Sequence, residues 1–183
     1  MPVVIALIVL VVLVALYAIA AHNGLVRLKN RVDNAWSQID VQLKRRSDLI
    51  PNLVETVKGY AAHEKDTLDA VIEARNKGLS AQGPAQAAVA DGALTGAIGR
   101  LLALSEAYPD LKANTNFLAL QEELTATEDK VGYARQFYND AVTSLNTKIA
   151  QFPASILASR MALTAREYFQ ADEAARVAPK VQF

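Results

Sequence analysis

The chain has 183 residues, with 19 Lys plus Arg against 19 Asp plus Glu, a formal net charge of zero and no cysteine. A neutral balance argues against a nucleic-acid-binding body. The absence of thiols excludes disulfides, thiolate zinc sites, iron–sulfur clusters and thiol catalysis together. Gly (8) and Pro (6) are scarce, so the composition favours helix.

Residues Val3 to Ala21 carry no charge, no Gly and no Pro. At 1.5 Å per helical residue this run spans roughly 28 Å, close to the hydrocarbon thickness of a bilayer. Only Met1 and Pro2 precede it, and neither is basic. An uncleaved anchor over 1–21 is therefore expected in preference to a signal peptide, for which Ala18-Ile19-Ala20 would be the cleavage site. Between His22 and Ser47 stand Arg27, Lys29, Arg31, Lys44, Arg45 and Arg46 against Asp33 and Asp40. The cytoplasmic bias of Lys and Arg then predicts a short outside N-terminus and a cytoplasmic body at the inner membrane, a periplasmic body being the alternative.

Beyond the anchor, Leu25, Leu28, Val32, Ala35, Ile39, Leu43, Ile50, Leu53, Val57, Ala61, Leu68 and Val71 form one helical stripe. It steps by threes and fours, with seven-residue gaps after Leu43 and after Ala61. The stripe keeps phase across Pro51, which predicts one long, kinked helix from the anchor to about Asn76. A new helix capped by Ser47 or Asp48 is the alternative. Lys77 to Pro84 reads as a turn. Ala85 to about Ala107 reads as a second helix, with Gly92, Gly96 and Gly99 marking either a loose stretch or a close helix approach.

After Tyr108-Pro109-Asp110, Asn114 or Asn116 is placed to cap a third long helix. Its stripe is Phe117, Leu120, Leu124, Thr127, Val131, Ala134, Tyr138, Val142, Leu145, Ile149 and Phe152. The mean step of about 3.5 is that of a left-handed bundle or coiled coil. Pro153 ends it. A fourth helix is expected over 154–163, and Thr164 is placed to cap a short fifth over 165–176. The domains predicted are an anchor over 1–21, a helical-bundle domain over 22–176 and an extended C-terminal tail over 177–183. The fold class expected is all-α: an N-terminal transmembrane helix continuous with an elongated antiparallel bundle.

Two histidines without a Glu three residues earlier cannot build a di-iron bundle site, so no metal and no cofactor is expected. Glu122, Glu123, Glu128 and Asp129 form an acidic patch, read as a solvated face in which Glu128 pairs with Lys130 or Arg135 on neighbouring chains or helices. A carboxylate pair acting as acid and base, or holding a divalent ion, is the functional alternative. No phosphate loop or nucleophile elbow accompanies the patch. Trp36, Tyr133, Phe137, Tyr138, Tyr168 and Phe169 are expected in the bundle core rather than around a ligand. The terminal Val181-Gln182-Phe183 resembles tails captured by strand addition, but a tail docked on its own domain is expected in preference.

The stretch from Trp36 to Tyr60 (WSQIDVQLKRRSDLIPNLVETVKGY) closely resembles the LemA family. The resemblance extends to Tyr108–Asn114 (YPDLKAN), Leu120–Leu124 (LQEEL) with Thr127-Glu128, and Tyr133–Asn139 (YARQFYN). It is completed by Phe152-Pro153, Tyr168-Phe169 and Pro179–Phe183 (PKVQF). It is weakest from Gly78 to Gly99, and Met161-Ala162-Leu163 stands where a Gly-Phe is expected. The resemblance implies a bacterial envelope protein with one N-terminal anchor, a helical-bundle domain and no assigned catalytic activity.

The function expected is that of a non-enzymatic, membrane-anchored bundle that assembles with itself as an envelope scaffold. The alternatives are a monomeric adaptor presenting its bundle or tail to another membrane protein, and a ligand- or metal-binding domain. Apart from the anchor, Val3 to Ala21, the candidate interaction residues are Trp36, Glu122, Glu123, Glu128, Arg135, Tyr138 and Phe183. The partners expected are the lipid bilayer, further copies of the chain and other membrane proteins.

Overall fold

The computed structural model describes residues 1–170. The expected C-terminal tail, 177–183, and the stretch 171–176 of the expected fifth helix lie outside the described residues. Among the described residues the chain is helical, without strands: α1 (Pro2–Lys58), α2 (Lys65–Ser80), α3 (Gly83–Ser105), α4 (Pro109–Lys112), α5 (Thr115–Ala150) and α6 (Ala154–Arg160). The long apolar helix at the N-terminus leads into a helical body, so the fold is all-α as its composition and periodicity require.

α1 passes without interruption from the apolar run through Pro51. Proline has no N–H to give to the carbonyl four residues earlier, which here belongs to Ser47. Arg75 of α2 takes the vacated place, its Nε donating to the Ser47 carbonyl at 2.9 Å. A side chain from the next helix thus repairs the ladder that Pro51 opens, and α1 continues for nearly two more turns.

The helix does not reach Asn76 as the stripe predicts. It closes at Lys58, where Tyr60 N–H turns back to the Val57 carbonyl at 3.0 Å and Gly59 follows the last helical residue. The break is pinned from α4 and its flanks. Tyr60 Oη accepts from Asn114 Nδ2 at 2.9 Å, and Tyr108 Oη donates to Glu64 at 3.1 Å. The bond to Glu64 holds the Tyr108 phenol above its usual range. Gly83, at φ +78°, and extended Gln82 then reverse the chain between α2 and α3, with Pro84 in the first turn of α3. So short a connection makes α2 and α3 an antiparallel pair.

The chain divides into two compact units. One is built on Ser37–Gln136 and on Tyr168–Phe183, the latter described to residue 170. Its core joins Ile50, Leu53 and Val57 of α1 with Val71 of α2, Leu94, Ile98 and Leu101 of α3, Leu111 of α4, and Phe117 and Leu124 of α5. α3 is apolar enough to cross a membrane by length and composition, yet it supplies much of this core. Its Gly92, Gly96 and Gly99 have open space where a Cβ would stand, so no close helix approach accounts for them. Asn114 caps α5, its Oδ1 accepting from Phe117 N–H at 3.0 Å.

The other unit comprises Met1–Trp36 and Phe137–Glu167. Leu25, Val32 and Ala35 of α1 are buried there with Tyr138, Val142 and Leu145 of α5 and Ala154 and Ala158 of α6. Phe152, expected at the end of the α5 stripe, stands 82% exposed instead, because α5 stops at Ala150. After α6, Ala162 adopts φ +51°, a left-handed turn that costs glycine nothing and alanine about 1–2 kcal/mol.

The fifth helix expected from Ala165 does not form over 165–170. The chain runs non-helically along α5, whose side chains satisfy its backbone. The Asn146 amide donates to the Arg166 carbonyl at 2.9 Å and accepts from Arg166 N–H at 2.8 Å, and Tyr138 Oη donates to the Glu167 carbonyl at 2.8 Å.

The Pro51 repair is open to a double-mutant cycle. Arg75→Met costs about 1.5–3 kcal/mol in the natural chain, the usual worth of a charged hydrogen bond to a buried acceptor. In a Pro51→Ala background the restored N–H satisfies Ser47, and the same change costs much less. Equal costs in both backgrounds, measured by chemical denaturation in detergent, would show that Arg75 does not serve the proline.

Candidate functional site

Two adjacent arginines on α1 organise the charged part of the body. Arg46 is 2% exposed. A guanidinium removed from water needs its charge and its donors matched, because an unpaired buried charge costs several kcal/mol. Nη1 donates to Asp91 Oδ1 at 2.7 Å and to Thr95 Oγ1 at 2.9 Å, both one turn apart on α3. Nη2 binds the Glu128 carboxylate on α5, which also accepts from Thr95 at 3.4 Å. Among the described residues, Nε of Arg46 has no partner, nor has Oε1 of Gln42, one turn earlier on α1.

Arg45 faces outward. Its Nε donates to Glu123 Oε1 at 2.9 Å, in a pair about half exposed on each side. The buried Thr127 hydroxyl donates to the Glu123 carbonyl at 2.7 Å. Thus Glu123 and Glu128, expected on a solvated face with Glu128 bound to Lys130 or Arg135, are the α5 ends of two ties to α1. The long side chain of a buried arginine reaches across helices, which helical spacing along α5 alone does not reveal.

Beside this cluster lies an open polar cleft of about 340 Å³, bordered by Asp91, Glu128, Asp129, Tyr133, Arg135 and Gln136. Arg135 is thereby brought next to Glu128 without pairing with it, and Glu122 stays exposed on α5. A second, more apolar groove of about 490 Å³ runs between Leu49 and Asn52 of α1 and Ala119 and Leu120 of α5. Among the described residues no three His, Cys, Asp or Glu side chains converge as a metal site would require.

In the unit that carries the anchor, Trp36 packs on Tyr138 with ring centroids 5.8 Å apart at 59°. Burial raises the Tyr138 phenol above its usual range, with Arg166 opposing and Glu167 and Asp33 reinforcing the shift. Arg31 lies over the Phe137 ring at 5.2 Å, and Arg166 pairs with Asp33 at 3.1 Å. Of the aromatics expected in the core, Tyr138 and Phe169 are buried and Trp36 and Tyr168 half-buried, whereas Tyr133 and Phe137 are exposed. Tyr133 is 77% exposed, whereas Phe137, at 39%, is partly covered by Arg31 of α1. Val3 is exposed, Ala21 is buried, and Phe183 lies outside the described residues.

Fold and site together define a class: a helical body, tied by arginine–carboxylate pairs, on an N-terminal helix that fits a membrane anchor. The sequence pattern of the LemA family matches residues 35–183, and the chain belongs to that family. It is 30% identical over 159 residues to protein LemA of Metamycoplasma hominis, covering 85% of this chain and 71% of the relative. It is 27% identical over 175 residues to magnetosome protein MamQ 2 of Paramagnetospirillum magneticum, and 25% identical over 174 residues to magnetosome protein MamQ of Magnetospirillum gryphiswaldense. These two alignments cover 81% of this chain and 64% of each relative, so the chain spans less than two thirds of their length.

The two arginines should separate sharply on substitution. Arg46→Ala leaves Asp91 and Glu128 without their cation and lowers stability by about 3–5 kcal/mol. Arg45→Ala removes an exposed pair and costs about 0.2–1 kcal/mol. Denaturation of both variants in detergent checks this, and similar losses would contradict the difference in burial.

Proposed function

We propose that the protein is a non-enzymatic membrane scaffold that assembles with further copies of itself through its helical body. The observation that carries this reading is the continuity of α1. One helix bears the apolar run and then supplies core residues as far as Val57. An anchor that enters the body as a helix limits the angles the body can take to the bilayer, which favours regular lateral contacts over a free tether.

Other features support the reading. Tyr133 of α5, Val41 of α1 and Val89 of α3 are large apolar side chains left more than half exposed. Such residues supply contact area where copies meet. Glu123 and Glu128, the nearest approach to a catalytic carboxylate pair, are committed to Arg45 and Arg46. The relatives named as magnetosome proteins belong to a defined cellular structure, in keeping with a structural part. The basic stretch Arg27 to Arg46 favours an inner-membrane protein with a cytoplasmic body.

The mass of the full chain in mild detergent, by light scattering with electron microscopy of the same peak, tests the proposal. A regular particle holding several copies of the 19.8 kDa chain is expected. A persistent monomer would overturn self-assembly and leave an adaptor for other membrane proteins as the reading to pursue.

A further inference from the structure

The corner between α5 and α6 carries an apolar tip that nothing in its own unit covers. Phe152 is 82% exposed and Ile156 is 55% exposed, while Ala154 and Ala158 on the opposite face of α6 are buried. The helices of this unit place that tip. Trp36 of α1 meets Tyr138 of α5, and Arg31 meets Phe137. From Trp36 back to Leu25, α1 rises about 16 Å, and from Tyr138 on to Ala150, α5 rises about 18 Å.

Burial along the apolar run shows which way α5 proceeds. Ala6, Ala15 and Ala20 are exposed, but Ala18 is half-buried, Ala21 is 7% exposed and Leu25 is fully buried. The other segment of the unit is Phe137–Glu167, where Leu145, Ala154 and Ala158 are likewise buried, and we take it as their cover. The end of α5 and the start of α6 therefore stand level with the last turn of the run, antiparallel to α1. The charges match that position. Between 22 and 32 the chain has Arg27, Lys29 and Arg31 and no acid; between 141 and 166 it has Lys148, Arg160 and Arg166 and no acid. Lys29 and Arg166 bind Asp33, whereas Arg27, Lys148 and Arg160 enter no ion pair among the described residues.

We propose that the α5–α6 corner is a second membrane contact, with Phe152 and Ile156 seated at the headgroup–acyl boundary and Arg27, Lys148 and Arg160 facing anionic lipid headgroups. This rests on reading the apolar run as a bilayer span. Aromatic and aliphatic side chains beside basic ones are the composition of interfacial segments, and basic residues are drawn to an anionic surface. The corner would fix the depth and rotation of α1 where it leaves the membrane.

The chain has no cysteine, so single labels can be introduced cleanly. Full-length protein carrying an environment-sensitive fluorophore through Phe152→Cys, Ile156→Cys, Asn34→Cys or Val12→Cys is reconstituted in phosphatidylcholine vesicles, with and without phosphatidylglycerol. Labels at 152 and 156 should lose about half their emission to a nitroxide held just below the headgroups, and more in the anionic vesicles. The label at 34, exposed and about 20 Å beyond Ala21, should lose none. The label at 12 should respond to a deep nitroxide.

A label at 152 as unaffected as that at 34, in both compositions, would overturn the proposal while the response at 12 upheld the anchor. Shielding at 152 that no lipid nitroxide reaches would overturn it in favour of contact with a second copy. A label at 12 untouched by any lipid nitroxide would remove the anchor and this proposal together. Lys148→Gln with Arg160→Gln should abolish the gain in anionic vesicles. Equal quenching in the two compositions for the natural charges would overturn the preference for anionic lipid.

Discussion

Peptide groups in hydrocarbon have no water to bond, so the backbone of a spanning segment must satisfy itself, and a single segment does so as a helix. In this chain the helix that fits such a span does not end where the apolar run ends. His22-Asn23-Gly24 would be a natural place for a break, yet α1 continues for more than thirty residues beyond Ala21. The rest of the fold answers to that length. α5 and α6 cover one part of it, α2, α3 and α5 cover another, and Arg75 repairs the one carbonyl that Pro51 leaves open.

A buried charge then sets how helices meet α1. Arg46 reaches Asp91 and Thr95 on α3 and Glu128 on α5, so a slip of one residue in any of these helices would strand a charge. Apolar packing tolerates such slips more readily than a polar network does. The network need add little net stability, since desolvation offsets much of the attraction. Its effect is to select one arrangement. It also engages Asp91 and Glu128, while Glu122 and Asp129 stay exposed on α5.

Much of this was legible in the residues. The all-α class, the apolar N-terminal helix, the long α5 and nearly every stripe position follow from the apolar pattern, which burial enforces. The two seven-residue gaps in the first stripe held more than periodicity alone could say. The gap after Leu43 is filled by Arg46 and Ser47, both buried, and the gap after Ala61 is where the chain breaks and restarts as α2. A polar residue in phase with a core stripe was the available signal for Arg46. Its partners were not available, because Asp91 and Glu128 are 45 and 82 residues away in sequence. The non-helical run after Thr164 depended on the Asn146 amide and the Tyr138 hydroxyl, contacts that no local propensity encodes. Phe152 fell out of its stripe because the helix stopped two residues short of it, at Ala150.

The continuity of α1 is the claim on which the account turns, and hydrogen exchange of its amides in the full-length, detergent-solubilised chain tests it most directly. Slow exchange is expected from the apolar run through Leu43 as a single block, with no step at His22–Gly24. A fast-exchanging island at those residues, between a protected span and a protected body, would show a hinge where the structure has a helix and would contradict it.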